Sequence, residues 1–283
     1  MTPSRLAAYR EPASTPTLVV VLICALVLGV VLGGHLPPLA AVTRRLLRAG
    51  VVLLGLQLSL PQLVDLGPGV LLAAVLTVAV TFTGTLWLGK RLRVPKELTV
   101  LMASGFSICG ASAIAAVAAE EDEDHVATSV ALVTLFGTLT MIALPLLGAS
   151  PEWIGLSVHE VAQVAVAAPA AGAATAMAVK LSRVALLAPV AALAGRRRDT
   201  PLLPLFLVGF LAMVVVRSTG FVPEDVLSVT KTTTTVLFAA AMFGLGTAVR
   251  PRRLLATGPR AMLLGLLATL LVCSVGYLSL LVV

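Results

Sequence analysis

Residues 157–183 read SVHEVAQVAVAAPAAGAATAMAVKLSR, and this stretch sets ionisable side chains inside what the surrounding sequence makes a membrane. His159, Glu160, Lys180 and Arg183 lie in or beside apolar runs. An ionisable group at bilayer depth costs about 2.5–3.5 kcal/mol on insertion scales, so each is a functional candidate by default. His159 and Gln163 are four apart and share a helix face, with Glu160 about a quarter-turn round. Lys180 and Arg183, three apart, share another.

The whole chain supports that setting. Of its 283 residues 59% are hydrophobic and only 12% charged, with a mean hydropathy of +1.06. This is the composition of an all-α polytopic membrane protein. The net charge of +7 comes mainly from basic residues in short loops, where it marks orientation rather than a nucleic-acid partner. Cys24, Cys109 and Cys273 sit in separate apolar segments and form neither a disulfide framework nor a CxxC motif.

Ten apolar spans follow, at 17–34, 46–63, 68–89, 98–119, 126–148, 153–170, 174–194, 201–219, 226–249 and 260–283. Residues 1–16 form an N-terminal tail, 17–283 a single transmembrane domain, and the first run reads as a retained span rather than a cleaved signal. Arg44, Arg45 and Arg48; Lys90, Arg91, Arg93 and Lys96; Arg196, Arg197 and Arg198; and Arg250, Arg252, Arg253 and Arg260 then fall on one side. The positive-inside rule makes that side cytoplasmic and puts both termini outside.

Two internal echoes stand out. GLQLSLPQLVDLGP (55–68) resembles GLGTAVRPRRLLATGP (244–259), in spans that the ten-span count runs in opposite directions. Inverted repeats with Gly- or Pro-interrupted helices mark secondary transporters, and chance recurrence of Gly, Leu and Pro is the competing explanation. GFSICGASAIAA (105–116) resembles GLSVHEVAQVAVAA (155–168), but in spans counted as parallel; it does not fit an inverted repeat and is given no weight.

Ser107, Cys109 and Ser112 lie among small residues in the fourth span, where a tight packing seam competes with a ligand site built of neutral donors. Gln57 and Ser59 sit in one arm of the first echo. Thr134, Gly137 and Thr138 form a polar stripe for which packing is the default. HExxQ is one residue away from the zinc motif HExxH, but an amide is a poor zinc ligand, so no metal is expected. A buried His159 and Glu160 pair can instead exchange a coupling proton, or the two can satisfy neighbours between helices. Lys180 and Arg183 repel one another; an anion between them relieves that cost, as does snorkelling or pairing with Glu160.

GFSICGASAIAA, TLFGT, HEVAQV and VKLSRVALLAPV, with RAGVVLLGLQLSL upstream, resemble the YeiH-type family of bacterial inner-membrane proteins labelled sulfate exporters. The resemblance covers the chain from about residue 21 onward. Members usually carry one further hydrophobic helix at the N-terminus. It implies a transporter of a small anion such as sulfate. Ser107, Cys109, Ser112, Gln57, Ser59, Lys180 and Arg183 are then expected to bind substrate, and His159, Glu160 and Gln163 to couple it to a proton or sodium. The expected partners are that anion, the coupling ion, the lipid bilayer and a second copy in a homodimer; no cofactor, nucleic acid or enzymatic activity is expected. A cation/proton antiporter using Glu160, and an intramembrane hydrolase using His159 and Glu160, are the alternatives.

Overall fold

The computed structural model describes residues 15–33, 39–57, 60–64, 66–118, 123–168, 172–187, 190, 205–248 and 258–282. Among these the regular structure is helical. α1 (Thr15–Leu32), α2 (Ala40–Leu54), a 3-10 turn (Gly55–Gln57), α3 (Leu60–Val64) and α4 (Gly67–Leu92) come first. α5 (Lys96–Ser107), α6 (Ala111–Val117), α7 (Glu123–Leu146), α8 (Pro151–Ser157), α9 (Val161–Ala167) and α10 (Ala173–Ala185) make up the middle. α11 (Leu205–Ser218), α12 (Glu224–Ala248) and α13 (Pro259–Val282) close the chain.

Gly67–Leu92, Asp124–Leu146, Glu224–Gly244 and Pro259–Val282 are long and apolar enough to cross a bilayer, since about 20 residues at 1.5 Å each cover the ~30 Å hydrocarbon core. The other six segments of the ten-span reading are shorter, interrupted or only partly described. Arg45 and Arg48, read as loop residues, stand exposed on α2, which begins at Ala40. Leu71, Leu72 and Val75 on α4 and Leu266, Leu270 and Leu278 on α13 are exposed. That apolar outer face is what lipid covers.

Residues 249–257 of the first echo lie outside the described residues, and its two Gly-Pro ends lead into paired helices. Gly67 (φ 72°) and Gly258 (φ 83°) each stand immediately before a proline, α4 starting at Gly67 and α13 at Pro259. The two helices pack on one another. Thr77 faces Ser279 and Gly84 faces Leu271, so the pair is antiparallel. α2 and α12 also pack together, with Gly50 against Phe238 and Gly244 against Thr43, again antiparallel.

The second echo, set aside on the sequence, marks the feature that organises the interior. The fourth span is not one helix: α5 stops at Ser107, residues 108–110 turn, and α6 starts at Ala111. The sixth span breaks at the corresponding place, with α8 ending at Ser157, residues 158–160 non-helical and α9 starting at Val161. Position for position, GFS-ICG-ASA and GLS-VHE-VAQ are each helix, break, helix. What recurs between the two stretches is the interruption, whatever their relative direction. Gly110 makes the first break, at φ 69° and ψ −129°, a conformation reserved in practice for glycine, and its N–H reaches back to Gly105 O at 2.9 Å. The second uses extended backbone at Val158 and Glu160.

Candidate functional site

A broken helix inside a bilayer exposes the last carbonyls of one half and the first N–H groups of the next, with no water to satisfy them. The last carbonyls also carry the negative end of the helix dipole. α10 answers both breaks with two cations on one face. Lys180 Nζ donates to Ile108 O (2.6 Å) and Val158 O (2.8 Å). These carbonyls occupy the same position in the two echoed stretches. Arg183 donates from Nη2 to Phe106 O (3.3 Å) and from Nη1 to Leu156 O, again equivalent positions. Its Nε also reaches Ser107 O at 3.1 Å, and Nη2 donates there too. Both side chains are fully buried. The relief from mutual repulsion that the sequence reading gave to an anion is thus supplied by five backbone carbonyls at the ends of α5 and α8.

Glu160 answers the opposite ends. It is the N-cap of α9 and forms a reciprocal capping box with Gln163, whose Oε1 accepts from Glu160 N at 3.2 Å. Its carboxylate also accepts from the backbone N–H of Ala111, the first residue of α6, and from Thr134 Oγ1 on α7 at 3.5 Å. Gln163 Nε2 donates to Thr134 O at 3.4 Å. Gly110 supplies the room: a Cβ there would fall 2.5 Å from Glu160 Cγ. One break therefore carries the carboxylate and the other the space for it. Glu160 is 4% exposed.

His159 points elsewhere. Its ring leans on Phe106, centroids 4.7 Å apart, and Nε2 meets Thr269 Oγ1 on α13 at 3.0 Å. Thr269 Oγ1 also donates to Gly265 O at 2.8 Å. Nδ1 is buried and makes no hydrogen bond among the described residues.

Of the remaining expected site residues, Ser107 lends its carbonyl while its hydroxyl turns back to Ser104 O at 3.4 Å. Cys109 Sγ meets Ser112 Oγ at 2.7 Å beside the break, within electrostatic reach of Lys180 and Arg183. Gln57 ends the 3-10 turn, half-buried, with α2, α11 and α12 as principal neighbours, and is not among the groups these cations and Glu160 touch. Ser59 lies outside the described residues. Sequence reasoning noted Thr134 but assigned it to packing; it gave no signal for Thr269, one hydroxyl in an apolar span. Phe106 was hidden for the same reason that any aromatic in a core is.

Residues 4–265 match a family profile described as "Conserved hypothetical protein 698". The chain is 40% identical to a UPF0324 membrane protein of Corynebacterium glutamicum over 90% of its own length and 83% of the relative's. A UPF0324 membrane protein of Bacillus cereus is 37% identical, covering 83% and 74%. One from Bordetella bronchiseptica is 32% identical, covering 88% of each. No solved structure matches. With several long apolar helices and relatives of this similarity over most of their length, the chain is a multi-pass membrane protein and belongs to the UPF0324, or YeiH-type, family.

Proposed function

We propose that the protein is a secondary transporter of a small anion, of the class of sulfate, related sulfur oxyanions or sulfonates, with the two breaks as its substrate site. The observation that carries this reading is the meeting of four half-helix ends on buried Lys180, Arg183 and Glu160. Discontinuous helices facing one another at the midplane are how such transporters build ion sites from backbone. Two cations against one carboxylate leave the cluster net positive, and a bound anion offsets that buried charge. Glu160, with hydrogen bonds to both breaks, is the group whose charge a coupling proton or sodium would alter.

A cation/proton antiporter is the second reading, favoured by one observation: Lys180 and Arg183 already spend their donors on carbonyls, which leaves Glu160 as the ligand. A third reading is an intramembrane hydrolase using His159 and Glu160; Gln163 adds no support to it, its amide being engaged with Glu160 N and Thr134 O. Thermal unfolding of detergent-purified protein in sodium sulfate, sulfite, thiosulfate, an alkyl sulfonate and chloride, at matched ionic strength and two pH values, separates the first two. A ligand of the folded state at 100 times its Kd adds about 2.7 kcal/mol, so an oxyanion substrate raises Tm by several degrees where chloride does not. A shift that follows sodium or pH alone, whatever the anion, decides for the antiporter.

A further inference from the structure

Six buried side-chain polar atoms lack a hydrogen-bond partner among the described residues, and four of them fall where α4, α8 and α13 meet: Thr81 Oγ1, Thr85 Oγ1, Ser157 Oγ and His159 Nδ1. All four residues are fully buried. Thr81 and Thr85 continue the face of α4 that carries Thr77, at four-residue steps. The antiparallel register that sets Thr77 against Ser279 and Gly84 against Leu271 puts Thr81 and Thr85 opposite the part of α13 between Thr269 and Gly276. Ser157 Oγ sits beside the Cys273 thiol and against Gly276. The unpartnered groups thus form one ladder rather than a scatter.

The ladder has an inner and an outer end. Its inner end is His159, held to Thr269 at the middle of α13. Its outer end is the Thr77 and Ser279 hydroxyl pair, 3.4 Å apart, close to where α13 stops at Val282. Beside that end Trp153 donates from its indole to Cys273 O at 2.9 Å and stacks on Tyr277, centroids 4.9 Å apart. An aromatic pair with polar tips is characteristic of headgroup level. Ten residues of helix separate Thr269 from Ser279, roughly 15 Å, or half a hydrocarbon core.

Buried hydroxyls left open in a native protein mark internal water, because each costs about 1–3 kcal/mol unsatisfied. Successive rungs one helical turn apart are roughly 5–6 Å from one another, a gap that a single bridging water spans with two hydrogen bonds. We infer that the seam between α4, α8 and α13 holds a chain of water molecules running from the Thr77 and Ser279 end of the bundle to Nδ1 of His159. Its inner water meets that unpartnered nitrogen, which makes the seam a route for protons to the second break from one face of the membrane. As a proton route it rests on the coupled-transport reading above; as a hydrated seam it does not.

Thiol labelling in native membranes tests the water without any transport assay. Methanethiosulfonates react with the thiolate, which forms only in contact with water. In a Cys24→Ala/Cys109→Ala background, a small charged methanethiosulfonate is expected to modify native Cys273, and Thr81→Cys, Thr85→Cys and Ser157→Cys in turn. The rates should be roughly tenfold or more above that of Val80→Cys on the exposed apolar face of α4, and from one side of the membrane only. Seam positions no faster than Val80→Cys, in variants that elute as single species, overturn the inference. So does reaction at Cys273 with Thr85→Cys and Ser157→Cys silent, because water would then stop short of His159. Cys273 needs no new substitution in the seam, so the test survives if a threonine variant fails to fold.

Discussion

Gly110 and Glu160 are complementary in a way that only coordinates reveal: one lacks a side chain where the other's must go. Gly110 is constrained twice, by a backbone conformation at φ 69° and ψ −129° and by Glu160 Cγ at 2.5 Å from the place of a Cβ. Strained backbone of that kind costs on the order of 1–3 kcal/mol, and overpacking a similar amount. Gly110→Ala is therefore expected to lower the thermal midpoint of the detergent-purified protein by more than either cause alone. The two causes separate in a double-mutant cycle. Adding Glu160→Ala to Gly110→Ala removes the clash but not the strain, so the pair should be coupled, with the double variant less destabilised than the two single effects summed. Strict additivity would mean that the carboxylate does not occupy the Gly110 notch.

At the scale of elements, α5 and α8 end inside the protein and are held by one face of α10. Arg183 touches Phe106, Ser107 and Leu156 carbonyls at once, so its loss should loosen both half-helices together. In Arg183→Gln a shorter, neutral amide replaces the fork, and each stranded carbonyl costs about 1–3 kcal/mol. Amide exchange at 105–111 and 155–161 is then expected to accelerate by roughly tenfold or more, for about 1.4 kcal/mol is a factor of ten. α1 and α12, which pack chiefly on each other and on α2, should change little. Acceleration at one break alone would show that the clamp does not join them.

The same comparison explains what was legible in advance. His159, Glu160, Lys180 and Arg183 announced themselves because ionisable side chains are conspicuous in an apolar chain. The breaks are also written in the sequence, as GFSICG against GLSVHE, in a match that helix direction alone does not reveal as a shared interruption. What no sequence spells out is a backbone carbonyl: the five acceptors of Lys180 and Arg183 belong to Phe106, Ser107, Ile108, Leu156 and Val158, and four of these side chains are polar-free or aromatic. Cations expected to await a ligand were instead closing helix ends. His159 and Glu160, adjacent in sequence and read as one pair, part at the break and serve different helices.

Over the whole molecule the paired helices, α2 with α12 and α4 with α13, surround a core in which charge is concentrated at one level. Lys180 and Arg183 face the negative ends of α5 and α8, while Glu160 faces the N–H groups that open α6 and α9. The helix ends balance these side chains locally, but the formal charge of the cluster still depends on Glu160. Glu160→Gln keeps the shape and an acceptor for Ala111 and Thr134 while fixing the group as neutral, so it should leave the fold and the clamp in place. The two transport readings then diverge in proteoliposomes. For an anion carrier with Glu160 as coupling group, the variant retains exchange of labelled substrate anion across the membrane, because the cationic side of the site is unchanged, but loses accumulation driven by an imposed proton or sodium gradient. For an antiporter the carboxylate is the cation's ligand, and cation-dependent proton movement disappears with no anion exchange to take its place. Gradient-driven accumulation equal to that of the unaltered protein would remove Glu160 from the coupling step in both.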